Sequence, residues 1–367
     1  YDGLNTKLGA RVPQFDLPDN FIRKKIRSMG RVSILATAAS QVALTDAGLR
    51  DSPILQSGRT GVAYGSSTGS TDSVADFANM LINKCLDGIT ATTYIRMMGH
   101  TTPVNIAVFF GLQGRVITTS SACTSGSQGI GNAYEAIKHG SQDIMLAGGA
   151  EELCPTEAAV FDTLYATSTR NSEPGKAPRP FDRDRDGLVI GEGACTFILE
   201  NRDHALARGA KIYAEIVGFG TNSDGKHVTQ PSHETMRGAM ELALEDAGLQ
   251  PDDIGYVSAH GTATDRGDIA ESLATNAVFG ENIPISAMKS YVAHTLGACG
   301  ALESWLAVQM MNNGWFAPTV NLDNVDPACA SLDYINGEGR ELDVEYVMNN
   351  NFAFSGINTS LIFKRQA

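Results

Sequence analysis

Residues 114–140 read GRVITTSSACTSGSQGIGNAYEAIKHG, and the reading of this stretch decides the fold class. Its opening, residues 114–119, is a β-branched run that favours a short strand. Ser120, Ser121 and Ala122 leave the next turn sterically open, and the second half of the stretch reads as helix. The unit is strand, tight turn, helix, with Cys123 at the turn. A thiol at the N-terminal end of a helix meets the positive end of the dipole and unpaired backbone N–H groups. Both favour the thiolate, lower its pKa and make a nucleophile. The same cysteine also fits a plain role as a small buried apolar residue. Spacing alone leaves both readings open, although Gly126, Gly129 and Gly131 allow close backbone approach here.

Outward from this unit the pattern repeats. Towards the N-terminus the sequence predicts a helix over residues 20–50, a strand over 60–64, a small polar loop over 65–73 and a helix over 74–86. Towards the C-terminus it predicts strands over 143–147, 188–199 and 211–219, the last two flanking a helix-like NRDHALARG. Helices at 234–247, 268–278 and 297–312 then alternate with strands at 254–259, 283–287 and 361–364. Such alternation predicts α/β layers. SACTSGSQGIGNAYEAI and AHTLGACGALESWLAV each place a reactive residue type just before a small-residue helix start. The echo divides the chain into two related βαβ-type halves, 1–204 and 205–367, with no Pro-, Gly- or Ser-rich linker to hold them apart.

Composition bounds the function. The 367 residues carry a formal charge of −13, which argues against a nucleic-acid-binding surface. At 43% hydrophobic and 19% charged residues the chain can bury a sizeable core. No apolar run reaches the ~18–20 residues of a membrane span, and the start has no signal pattern, so a cytoplasmic protein is expected. Six cysteines, each at least 30 positions from the next, fit neither a disulfide framework nor a zinc site and are expected to be reduced. His227 and His233, six apart in NSDGKHVTQPSHE, read as part of a polar loop rather than as metal ligands.

Further residues could carry chemistry. His260 ends the apolar strand IGYVSA and opens HGTATDRGD, and strand ends of this kind are where α/β folds bind ligands. Thr262 and Thr264 after it offer hydroxyls to an extended polar ligand. His294 occupies a similar place after strand 283–287, with Lys289 five residues before it and Glu303 nine after. Singly, each also fits an ordinary surface or core role. In NNNFAFSGINTSLIF, residues 349–363, the reading is a turn before the terminal strand, in which Phe354 is either core or a mobile gate. Arg23, Lys24, Lys25 and Arg27 put four cations into five positions of an acidic chain.

In their order and spacing, SSACTSGSQGIGNA, GGAEELC, RPFDRDRDGLVIGEGA, AHGTATDRGDIAE, SAMKSYVAHTLGACGALE and NNFAFSGIN resemble the β-ketoacyl-[acyl-carrier-protein] synthases. The likeness runs over nearly the whole chain, and EELC and Gly267-Asp268 look closest to the type I enzyme. It implies a thiolase-like fold with an α-β-α-β-α layering. The family's opening strand and Gly-rich turn have no counterpart ahead of Tyr1, so a core strand of the first half is expected to be unaccounted for.

By this resemblance Cys123 is similar to the family's acyl-accepting nucleophile and His260 and His294 to its histidine pair. Lys289 and Glu303 match the supporting pair, Thr262 and Thr264 the residues that bind the phosphopantetheine arm, and Phe354 the gate. The backbone N–H groups of Cys123 and Phe354 would form the oxyanion hole. Lys24 and Arg27 match positions where the family docks its acidic acyl carrier protein. The implied reaction is decarboxylative condensation of malonyl carrier with a primer held on Cys123, as in fatty-acid elongation. It needs neither metal nor redox cofactor, and the phosphopantetheine belongs to the carrier. The family is a homodimer. Ala263, Asp265, Ala353 and Ser355 depart from the family's residues, the last two replacing gate glycines. Thiolases need a second cysteine where this chain has NFAFSGIN, and a non-catalytic chain-length-factor-like subunit would have lost Cys123. A polyketide-type ketosynthase or such a non-catalytic partner subunit remains the alternative.

Overall fold

Two mixed β-sheets lie on either side of a buried pair of helices in this computed structural model, which describes residues 1–366. The first sheet holds β1 (Thr60–Gly65), β2 (Val116–Thr118), β3 (Ile144–Glu151) and β4 (Gly193–Glu200) in the order β2-β1-β3-β4, with only β4 antiparallel. The second contains β5 (Ala214–Ser223), β6 (Ile254–Ser258), β7 (Pro284–Ser286), β9 (Asp333–Tyr334), β11 (Tyr346–Phe352) and β12 (Ile357–Arg365). Its order is β5-β12-β11-β6-β7-β9, parallel from β11 to β9. A short ribbon pairs β8 (Trp315–Phe316) with β10 (Arg340–Glu341). Each sheet is built entirely from one side of residue 205.

The helices are α1 (Arg23–Ile26), α2 (Arg31–Asp46), α3 (Thr71–Asn83), α4 (Ala91–Met97), α5 (Thr101–Phe110), α6 (Ser125–Lys138), α7 (Pro155–Asp162), α8 (Arg202–Ala207), α9 (His233–Ala247), α10 (Asp265–Phe279), α11 (Lys289–Val292) and α12 (Cys299–Asn313). α6 and α12 pack on each other between the sheets, α2 and α5 cover the outer face of the first sheet, and α9 with α10 covers the second. This is the α-β-α-β-α layering. Ile130, Ala133, Met145, Val308, Met311 and Leu361 form one apolar cluster across the middle layer. Burying each large aliphatic among them contributes about 1.5–3 kcal/mol. The central helices come this close because residue 126 is Gly: a Cβ there would lie 2.9 Å from both the Ala301 nitrogen and the Gly297 oxygen.

Several expectations are corrected. The helix expected over 20–50 is two helices, broken where Gly30 is extended. α4, α5 and α7 lie in stretches where no element was expected, and residues 188–190 form bridges to Thr167 and His294 instead of continuing β4. The turn expected over 349–363 is a hairpin: β11 and β12 pair from Tyr346 to Phe352, and only residues 353–356 turn. Asn349, Asn350 and Asn351 masked β11, because Asn is depleted in strands and marks turns elsewhere. In the second sheet β5 lies beyond the antiparallel β12, whereas in the first the antiparallel β4 is itself the edge. Among the described residues no helix is long and apolar enough to cross a membrane.

Candidate active site

The parallel strands of both sheets bring their C-terminal ends towards the N-termini of α6 and α12, and the chemistry-bearing residues collect there. Cys123 lies in the single 3₁₀ turn Ala122–Thr124 that leads from β2 into α6. Its predecessor Ala122 has φ +51°, a left-handed conformation that costs a non-glycine residue energy and marks a constrained turn. The thiol is 2% exposed. Burial pushes it up to about 11, against the opposing pull of the Phe354 backbone N–H and the Lys289 charge. The lowered thiol pKa expected from the helix end is thus corrected: loss of hydration outweighs the dipole.

His294 Nε2 stands 3.1 Å from Cys123 Sγ. The His260 ring is 5.3 Å from that of His294, centroid to centroid, and nearly perpendicular to it. The tautomer of each ring follows from its other nitrogen. The Leu296 backbone N–H donates to Nδ1 of His294 at 3.2 Å, and the Lys289 ammonium to Nδ1 of His260 at 2.9 Å. A nitrogen that accepts carries no proton, so both rings hold theirs on Nε2. Burial, reinforced by the Lys289 charge, drives both well below the usual histidine range, so they stay neutral. Two neutral N–H donors therefore stand beside a sulfur, an arrangement suited to stabilising oxyanions formed at a thioester.

Lys289 is the hub that fixes His260. Fully buried, its ammonium also donates to the His260 carbonyl at 2.7 Å and to Glu303 Oε1, and against the pull of burial Cys299 and this carboxylate hold it above the usual lysine range. Asn351 closes the cluster by donating to Glu303 Oε2 at 2.7 Å. Sequence reading missed Asn351, Glu271 and a role for Asp268. Glu271 accepts from the backbone N–H groups of His260 and Gly261, each at 2.7 Å, and burial pushes it up to about 8. Asp268 takes the N–H groups of Phe181 and Ala263 and pairs with Arg185. The run of three Asn before the Phe of the gate segment was the one available signal for Asn351.

The remaining expected residues ring this core. Phe354 is half-buried, packs edge-on against Phe161 at 5.7 Å, and directs its backbone N–H at the Cys123 sulfur, as Cys123 does its own. Ser355 and Gly356 both have φ near +80° (+82° and +79°), so Ser355 occupies a conformation that favours glycine. Thr262 and Thr264, both part-exposed, bond to each other through their hydroxyls at 2.8 Å. Lys24 and Arg27 are exposed around α1, and Arg96 donates to the Arg27 carbonyl at 2.6 Å, adding a fifth cation to the patch.

The Cys123, His260 and His294 ligand atoms lie within 4.8 Å of one another, as do those of His260, Cys299 and Glu303. To hold a cation in the first set, His294 Nε2, which faces Cys123 Sγ, would have to give up its proton. In the second, Lys289 already supplies a cation to His260 Nδ1 and Glu303.

Comparison with known proteins agrees over the full length. The family model described as "Beta-ketoacyl synthase, N-terminal domain" matches residues 3–205 and that of the "C-terminal domain" matches residues 213–323. The chain is 40% identical to 3-oxoacyl-[acyl-carrier-protein] synthase 2 of Vibrio cholerae, covering 99% of this chain and 89% of the relative. It is 37% identical to synthase 1 of Escherichia coli K12, covering 94% and 84%. A β-ketoacyl synthase from Burkholderia phymatum superposes with a TM-score of 0.99 at 60% identity, covering 100% of this chain and 90% of that one. The ishigamide ketosynthase/chain length factor superposes with a TM-score of 0.89 at 30% identity, covering 100% and 90%.

Proposed function

This chain belongs to the β-ketoacyl synthase family, the condensing acyltransferases of fatty-acid elongation, and from that premise we propose how its own residues divide the work. The observation that carries the assignment is the 3.1 Å approach of His294 Nε2 to Cys123 Sγ, with the His260 ring 5.3 Å away. Cys123 attacks the thioester of an acyl carrier. The tetrahedral oxyanion sits on the backbone N–H groups of Cys123 and Phe354, and the carrier thiol leaves with the proton. Malonyl carrier follows and loses CO₂, while the Nε2–H groups of His260 and His294 take the developing enolate oxygen. The carbanion attacks the acyl-Cys123 carbonyl, the thiolate leaves, and the product is a β-ketoacyl carrier two carbons longer.

Lys289 and Glu303 hold His260 in its donor tautomer, and Thr262 and Thr264 receive the phosphopantetheine arm. The arm belongs to the carrier. None of these steps calls for a metal or a redox cofactor from the enzyme. Lys24 and Arg27, in a cationic patch on a chain of net charge −13, fit docking of an acidic acyl carrier protein. A homodimer through the first half is supported by the open, part-exposed edge of β2 and by Leu81 and Ile82 of α3, 61% and 74% exposed. A cytoplasmic location suits the free thiol that the chemistry needs. The retained Cys123, His260 and His294 set this chain apart from a non-catalytic partner subunit.

The test is mass spectrometry of the carriers after mixing the protein with malonyl carrier and acyl carriers of graded length, with Cys123→Ala as control. A β-keto product two carbons longer, absent in the control, is the expected result. A folded protein that yields no product with any primer overturns the assignment of these residues.

A further inference from the structure

Glu151 closes β3 and is completely buried, and no step of the reaction above uses it. Its Oε2 accepts two backbone N–H groups from opposite halves of the molecule. Ser67, in the loop after β1, donates at 2.8 Å, and Gly297 donates at 3.0 Å. Gly297 belongs to the turn Leu296–Ala298, which supplies the N–H that fixes the tautomer of His294. That turn is strained, since Leu296 has φ +43°. A conformation of this kind persists only where its surroundings hold it. The hold is close: a Cβ on Gly297 would lie 2.9 Å from Glu151 Oε2 and 2.8 Å from the Ser67 nitrogen.

A second carboxyl completes the arrangement. Glu157 of α7 is only 7% exposed, and neither of its oxygens, nor Oε1 of Glu151, meets an N–H or hydroxyl donor among the described residues. The two carboxyls bond each other instead. A bond between two carboxyls needs a proton on one of them. Burial and the neighbouring Glu151 charge push Glu157 up to about 11, and burial pushes Glu151 up to about 7.

We propose that Glu151 is a positioning residue for His294, clamping the Leu296–Gly297 turn to the end of the first sheet. The proposal rests on the reading of His294 as the enolate donor. Glu151 touches no reacting atom; it acts through the backbone N–H of Leu296, which keeps the His294 proton on Nε2. The clamp also joins the two halves of the chain at the one turn where the nucleophile of the first must meet a histidine of the second.

The test compares Glu151→Leu, Glu151→Gln and His294→Ala in malonyl-carrier decarboxylation. Glu151→Leu removes both acceptors and should lower kcat about 100-fold, the scale of a 1 Å misplacement, with KM for the carrier unchanged. Glu151→Gln keeps an amide oxygen for the same two N–H groups and should stay within about fivefold of the parent. A kcat for Glu151→Leu within about threefold of the parent, or a Gln variant as slow as the Leu one, overturns the clamp. If His294→Ala itself is as fast as the parent, the reading of His294 fails, and the inference with it. Should Glu151→Leu not fold, Glu151→Met takes its place, with the same expected loss and the same overturning result.

Discussion

The Lys289 ammonium donates to Nδ1 of His260 at 2.9 Å and so decides which ring nitrogen carries the proton. Lys289 and Glu303 are both fully buried, so the same contact belongs to an ion pair with no water to replace either partner. Removing one member of such a pair strands the other as a buried charge.

Lys289→Met should therefore lose twice. Stability should fall by about 3–5 kcal/mol, read by urea unfolding, because Glu303 is left uncompensated. In the fraction that remains folded, malonyl-carrier decarboxylation should drop at least about tenfold, since His260 no longer has a fixed donor tautomer. Parent-like decarboxylation in a folded Lys289→Met protein would show that the tautomer is fixed some other way.

His294→Ala removes one of the two donors proposed to meet the enolate oxygen. The expected loss is about 2.7–4 kcal/mol of transition-state stabilisation, seen as a ~10²–10³-fold slower decarboxylation. A rate near that of the parent would remove His294 from the assignment.

The Cys123 thiol, pushed up to about 11 by burial, should be protonated at neutral pH. Its alkylation by iodoacetamide, followed by peptide mass, should then rise roughly tenfold per pH unit between about pH 7 and 10 without levelling off. A plateau below about pH 8.5 would mean that the helix end does outweigh burial. Both histidines are held well below 6.5, so their protonation adds no inflection to this profile near that pH.

Lys24→Glu combined with Arg27→Glu should raise KM for the acyl carrier with little change in kcat, because both side chains are exposed, whereas the thiol is buried. The effect should shrink as salt rises towards ~0.5 M, where the Debye length falls below about 5 Å. An unchanged KM at low salt would place the docking surface elsewhere.

Ser355 has φ +82° between the half-buried Phe354 and Gly356. Ser355→Gly should relieve backbone strain of order 1 kcal/mol and free the turn that carries the Phe354 N–H. Transfer of a long acyl chain to Cys123 should be faster in the variant, measured by rapid quench and intact mass. Slower or unchanged transfer would mean that this turn does not limit entry.

The sequence by itself determined the class of fold and singled out residues that the structure gathers at one site. The β-branched run before Cys123, the apolar strands before His260 and Lys289 and the small-residue starts of α6 and α12 are local patterns, and local patterns survive in one dimension. Tertiary structure alone decided three things. It revealed β11, whose asparagines are poor strand formers by propensity and are kept in the strand by full burial and pairing with β12 and β6. It reversed the expected pKa of Cys123, because desolvation depends on everything packed around a thiol and not on the helix that follows it. It also assigned the protons of both histidines and exposed Asn351, Glu271 and Glu151 as their supports. Those assignments rest on hydrogen bonds between residues up to 146 positions apart, and no spacing in the chain encodes such a distance.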